Sequence, residues 1–407
     1  MSLKPIINDI AMLQIQEPPK VSAQNSSFNH ALWALPFRSF FLSAALASIV
    51  ALLLWLAKLT TGFSFASNGL NPIVWHIHEM TFGFAVLVAV GFILTAVQTW
   101  TGIPSITGRP VALLLALWFS VRLCFWFNSQ ITIYLGLSLQ AIWWIAVISI
   151  FSKIVFAAKN KRNYLFIPIL LMLAICQSAI VLLDINQYAN YSLHIAKFSV
   201  LLFSLLVTII GGRIIPMFTA NGIQSPAAKP IEWLEKTILP LSIISFVGYL
   251  VDSQHLITSA LLIILSIVHG IRMSKWQGLK TFKVPLLWSL HVAYLFMVLG
   301  LLFLGLSIQD LFISISSAMH LITIGTIGLM IFSMMSRVSL GHTGRKLITN
   351  PLVNISFVLL VISAITRVLL AELGFVHYAW TFSTICWTIA AVIFLVCYRR
   401  ILTSPRL

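Results

Sequence analysis

The chain reads as an all-α, polytopic membrane protein with about twelve transmembrane helices and both termini in the cytoplasm. Three observations predict this. First, 60% of its 407 residues are hydrophobic and only 8% are charged, whereas a soluble domain carries about 25% charge; mean hydropathy is +1.02. Second, apolar runs of roughly 17–25 residues recur along the whole chain, each long enough to cross a hydrocarbon core about 30 Å thick as a helix. Lipid offers backbone groups no partners, so such runs must be helical, and the short alternating segments of a β-barrel are absent. Third, the net charge of +16 is distributed unevenly. With the N-terminus inside, only Lys58, Arg122, Lys197 and Arg367 fall outside the inner segments, which hold the remaining 21 of 25 basic residues. The outer turns carry Asp184, Asp252, Asp310 and Glu372 instead. This is the positive-inside pattern. The charge is a topology signal and implies no nucleic-acid partner.

The elements follow in order. Residues 1–30 form a mostly polar cytoplasmic segment with Pro18-Pro19 and no apolar core followed by a cleavage site, so no signal peptide is read there. A short interfacial helix is expected around Ile6–Ile15. Residues 31–400 form a single transmembrane domain, and 401–407 a cytoplasmic tail. Span one (38–57) is an uncleaved anchor. Span two (75–98) opens on Trp75-His76-Ile77-His78-Glu79-Met80, span three (110–128) carries Arg122, and span four (131–152) is featureless. Span five (164–184) ends at Asp184. Span six (194–216) runs from His194 to Gly211-Gly212-Arg213-Ile214-Ile215-Pro216, which closes it at the inner face. Spans seven (235–252) and eight (255–272) are separated by a tight outer turn. Span nine (285–306) carries His291, span ten (311–335) His320, span eleven (351–371) Arg367, and span twelve (376–398) two of the four cysteines. The longer connections, 99–109, 153–163, 217–234, 273–284 and 337–350, are all inner. A weak echo links spans two and ten: His78 precedes Gly83 and Thr107-Gly108-Arg109, and His320 precedes Gly325 and Thr343-Gly344-Arg345.

Two histidines and a carboxylate at the mouth of a span are costly to place in lipid, so they mark a buried metal, haem or proton site. Of the ten histidines, His30, His255, His269 and His377 are read as solvated or capping side chains. His76, His78, His194, His291 and His320 lie at or within spans, and imidazole is the commonest metal ligand. Most of them fall in the outer half. Residues i and i+2 on a helix are about 200° apart, so either the helix starts after His76 or the two imidazoles serve different sites. Glu79 is read as an orienter of an imidazole, a proton-relay group, or a charge at the positive end of the helix. Arg122 lies well inside span three and needs an anionic partner; haem propionates would supply one. Lys197 and Arg367 are expected to snorkel to the outer interface. Gly83, Gly91, Gly325 and Gly328 allow close packing against a helix or a flat macrocycle. The Gly-rich inner segments near Arg213 and Arg345 are candidates for an anion nest. Cys124, Cys176, Cys386 and Cys397 are scattered and no CxxC or CxxCH is present, which argues against a disulfide framework, a thiolate zinc site or covalent haem.

Taken together, these motifs resemble the NnrS family of bacterial inner-membrane proteins. The resemblance rests on Trp75 through Met80 with Phe82-Gly83-Phe84; Gly91-Phe92, Leu94-Thr95-Ala96-Val97 and Trp100-Thr101-Gly102; Gly211-Gly212-Arg213 with Pro216 and Phe218-Thr219; His291 with Tyr294; His320 with Gly325 and Gly328; and Arg337 with Leu340 through Arg345. Gln98-Thr99-Trp100 departs from the pattern, where an Asn is expected. The resemblance implies haem, b-type and non-covalent, together with copper, and a link to denitrification and nitrosative stress. It implies His76, His78, His291, His320 and His342 as candidate ligands, with Glu79, Arg213 and Arg345 supporting; Met80, Arg122 and His194 join the candidates on the residue reading above.

The function expected is that of a haem/copper protein of the bacterial inner membrane. It would bind or reduce nitric oxide, or relieve iron nitrosylation, with quinol or another donor supplying electrons. Alternatives are a transporter of a nitrogen oxide, haem or metal, or a membrane sensor without turnover.

Overall fold

The computed structural model of the chain describes Phe28 and residues 30–63, 69–127, 129–226 and 228–407. The interfacial helix expected around Ile6–Ile15 lies outside the described residues. These are 83% helical, contain no strand, and form twelve helices long and apolar enough to cross a membrane. In chain order they are α1 (Pro36–Thr61), α2 (Pro72–Thr101), α3 (Arg109–Phe127), α4 (Gln130–Ala157), α5 (Lys161–Ile185), α6 (Ala189–Gly222), α7 (Glu232–Val251), α8 (Leu256–Ser274), α9 (Pro285–Ser307), α10 (Ile315–His342), α11 (Pro351–Glu372) and α12 (Val376–Thr403). Each expected span has its helix.

Two helices outrun their expected ends by more than a turn and a half. Pro216 does not close α6, which continues through it to Gly222. Proline removes one N–H and clashes one turn back, but in a packed membrane helix the neighbours satisfy the freed groups. Likewise α10 runs on to His342. The connections expected at 217–234 and 337–350 therefore begin later. The expected anion nest at Gly211-Gly212-Arg213 is absent because those amides belong to a continuous helix.

Burial divides the helices into a repeating order. The most apolar windows of α2, α6 and α10 are 83%, 78% and 72% buried, while the remaining nine helices are more open: α9 reaches 61% and the other eight 33–44%. The second helix of each successive set of four is thus interior, and its companions face outward. Most sequence neighbours pack side by side, and α12 returns to pack on α1. The echo between spans two and ten extends to the backbone. α2 is π-helical over Glu79–Ala85, immediately after His78, and α10 over Leu321–Gly328, immediately after His320. Such widened turns concentrate at functional sites.

The end of the bundle holding the chain's C-terminus is here called the basic end. There Arg38 Nη1 donates to the carbonyls of Leu402 (3.2 Å) and Ser404 (2.7 Å), and Leu407 N donates to Thr343 O (3.0 Å). The tail is therefore seated between the start of α1 and the end of α10. Gly344 turns there with φ +76°, and a Cβ would stand 2.7 Å from Leu407 O.

Candidate functional site

The local start of α2 decides where its histidines point. Asn71 caps the helix, its side chain accepting from Ile73 N at 3.0 Å, and Pro72 occupies the first turn. Both His76 and His78 are therefore helical, and the two-residue step sends them to different sides.

His76 faces a cavity of about 400 Å³ enclosed by α1, α2, α6, α10, α11 and α12. His320 of α10 lines the same cavity, with Met80, Lys197 and Arg367. No Asp or Glu lines it. His76 lies flat on Trp55, with ring centroids 4.6 Å apart and planes 16° apart, and its Nδ1 is buried without a hydrogen-bond partner. His320 Nδ1–H donates to Ser316 O at 2.7 Å, which leaves Nε2 as the ring's open nitrogen. Trp55, Phe84, Trp380 and Trp387 supply aromatic walls. Phe84, Trp387 and Phe332 pack on one another behind that wall, with ring centroids 5.3–5.9 Å apart. Lys197 and Arg367, expected to snorkel outward, thus line an interior space.

His78 points the other way, into a buried network among α2, α3, α4 and α5. Trp144 Nε1 donates to Gln177 Oε1 (2.6 Å), so the Gln177 amide faces His78 Nε2 (3.1 Å) as donor. His78 Nδ1–H then donates to Glu79 Oε1 (3.1 Å). Glu79 also accepts from Arg122 Nη1 (2.7 Å) and Trp126 Nε1 (2.8 Å). The anion beside Arg122 is therefore Glu79. Both nitrogens of His78 are in use, and Glu79 orients His78 rather than His76. Gly83 keeps the pair close: a Cβ there would stand 3.1 Å from Arg122 Nη1 and 3.3 Å from Glu79 Oε2. Gly91, Gly325 and Gly328 pack on Phe40, Phe296 and Trp387 respectively.

The remaining candidates lie elsewhere. His194 stacks on Tyr249 and its Nε2–H donates to Leu250 O at 2.9 Å, away from the cavity. His291, towards the basic end, shares a hydrogen bond with Thr219 Oγ1 at 2.8 Å, while its Nδ1 is buried against Gly278. His342 is buried beside Phe37. Arg345 donates to Thr343 O at 3.4 Å on the basic-end surface. Arg213 donates to Asn163 Oδ1 at 3.0 Å and lines a different cavity.

His269 corrects the sequence reading. Expected as a solvated or capping residue, it is fully buried. Tyr294 Oη–H donates to its Nδ1 at 2.6 Å, and Arg272 Nη1 donates to the same hydroxyl at 3.3 Å. The available signal was spacing: His269 and Arg272 stand three residues apart on α8, as His291 and Tyr294 do on α9. By contrast His30 and His255 do cap helices, accepting from Leu32 N and Ile257 N.

The cavity fits haem by its donors: two imidazoles from separate helices, an orphaned ring nitrogen, two cations and aromatic walls. Among the described residues no three His, Cys, Asp or Glu side chains converge as a ligand set.

The family model described as NnrS protein matches residues 31–406, nearly the whole chain. No curated protein matches it.

Proposed function

The chain belongs to the NnrS family, and we propose that it binds haem between α2 and α10, which His76 and His320 would hold, for use in the response to nitric oxide. Membership makes it a multi-pass membrane protein connected with nitric oxide. One observation carries the haem reading: His76 and His320, from separate helices, share an aromatic-walled cavity with Lys197 and Arg367 and with no carboxylate.

Haem bound there would supply one-electron chemistry whose potential is set by its ligands and surroundings. The protein's own residues do the rest. Ser316 O fixes the His320 ring through Nδ1–H and leaves Nε2 as the nitrogen that would ligate. Trp55 holds the His76 ring flat. Lys197 and Arg367 give two carboxylates the counter-charges that the bilayer interior otherwise lacks. Trp380, Trp387 and Phe84 exclude water, and Met80 and Met319 fill against a flat ring. The proposal places the site in the outer half of the bacterial inner membrane, with quinol as the class of electron donor. It assigns copper to no residue.

The test is the optical spectrum of the detergent-purified protein, oxidised and reduced, combined with nitric-oxide consumption under a reductant. A stoichiometric haem band and consumption above that of the heat-denatured protein are expected. No haem band after expression with ample haem precursor overturns the reading and moves transport to the front.

A further inference from the structure

A second cavity, of about 560 Å³, lies at the basic end among α5, α6, α7 and α8, remote from His76 and His320. Five cations from four separate segments line it: Arg162 at the start of α5, Arg213 of α6, Lys229 of the following connection, and Arg272 and Lys275 at the end of α8. One carboxylate joins them, Glu235, and it is already taken. Arg272 Nε donates to Glu235 Oε1 at 2.8 Å and Nη2 donates to Oε2, while Nη1 donates to Thr208 O at 2.9 Å. That pair forms a fixed, neutral wall.

Gly212 makes the wall possible. A Cβ at Gly212 would coincide with the Arg272 guanidinium, so the bare α6 backbone is what admits it. The other four cations have no such balance. Arg213 donates only to neutral acceptors, Asn163 Oδ1 and Arg162 O, and lies over the Phe166 ring at 6.0 Å. Among the described residues no carboxylate pairs with Arg162, Arg213, Lys229 or Lys275. The positive-inside rule explains basic residues scattered along an inner surface. It does not require four segments to direct theirs into one hollow. The rest of the lining is apolar, including Leu165, Ile209, Pro216, Met217, Leu234 and Ile238.

Charge excess at the mouth, apolar walls between helices and a size well above that of a bare oxyanion describe one ligand class. We propose that this cavity binds the phosphate group of an anionic phospholipid, with Arg162, Arg213, Lys229 and Lys275 as its counter-charges. Basic hollows between transmembrane helices hold such headgroups, and a guanidinium matches two phosphate oxygens at once.

The experiment is a thermal-shift titration of the detergent-purified, delipidated protein with dioleoylphosphatidylglycerol, dioleoylphosphatidylcholine or inorganic phosphate. Stabilisation by phosphatidylglycerol alone is expected. In the variant Arg213→Gln/Lys229→Gln/Lys275→Gln its half-saturating concentration should rise about a hundredfold. In the variant Lys283→Gln/Arg399→Gln/Arg400→Gln, whose basic residues lie outside the cavity, it should not change. Lys229→Gln and Lys275→Gln, both exposed, serve singly should the triple variant fail to fold, and each should weaken binding severalfold. Equal titrations in wild type and cavity variants overturn the proposal. Equal stabilisation by inorganic phosphate reassigns the source to a free anion and overturns the lipid. The haem spectrum is expected to be the same in every variant, so this proposal and the haem reading fail separately.

Discussion

Glu79 accepts a hydrogen bond from the Arg122 guanidinium at 2.7 Å across the α2–α3 interface, and each side chain is 1% exposed. Breaking such a pair leaves one charge buried without compensation. Glu79→Gln or Arg122→Gln is expected to destabilise the protein by about 3–5 kcal/mol. Replacing both by apolar residues, as in Glu79→Leu/Arg122→Met, should recover much of that loss. Thermal unfolding of the four proteins in one detergent checks both statements.

Gly212 and Arg272 are coupled because the guanidinium occupies the space of the missing Cβ. Gly212→Ala is expected to cost about 1–3 kcal/mol through overpacking. In an Arg272→Ala background the same substitution should cost almost nothing, since the clash is gone. A double-mutant cycle measures the difference.

Lys197 and Arg367 line the His76–His320 cavity. Nearby positive charge favours the reduced form of a haem, which carries one more electron. Lys197→Gln and Arg367→Gln are each expected to lower the midpoint potential, and the double variant to lower it further. Redox titration followed optically reads the shift, and an unchanged potential would remove both cations from the site.

The charge asymmetry of the sequence predicts that Asp252 and Asp310 turns lie outside and the 273–284 connection inside. The native cysteines give a quiet background, three of them being buried. In intact cells an impermeant maleimide should label Gln254→Cys and spare Lys280→Cys until the membrane is opened. The reverse pattern would invert the orientation.

Much of this architecture is legible in the sequence because bilayer thickness and backbone satisfaction leave few choices. The twelve spans follow from length and composition; helical phase offers the division between His76 and His78 as one of two readings, and capping is one of two for His30 and His255. The pairing of Arg122 with Glu79 was hidden, although both were at matching depth, because nothing in a single sequence says that α3 packs where α2 opens its widened turn. The same limit hid His269 and Tyr294. Pro216 misled because its helix-breaking tendency is measured in water, where no neighbouring helix repairs the ladder. The sequence echo aligns His78 with His320, yet the cavity joins His320 to His76. The two-residue offset between His76 and His78 turns one imidazole into the cavity and the other into the Glu79–Arg122 network.

The most direct measurement is the reduced-minus-oxidised spectrum of purified His76→Ala, His320→Ala and His194→Ala beside wild type. Haem ligated by His76 and His320 predicts that the first two variants lose the wild-type haem bands or convert them to a high-spin form, while His194→Ala keeps them. Wild-type haem content and bands in both His76→Ala and His320→Ala would contradict the assignment.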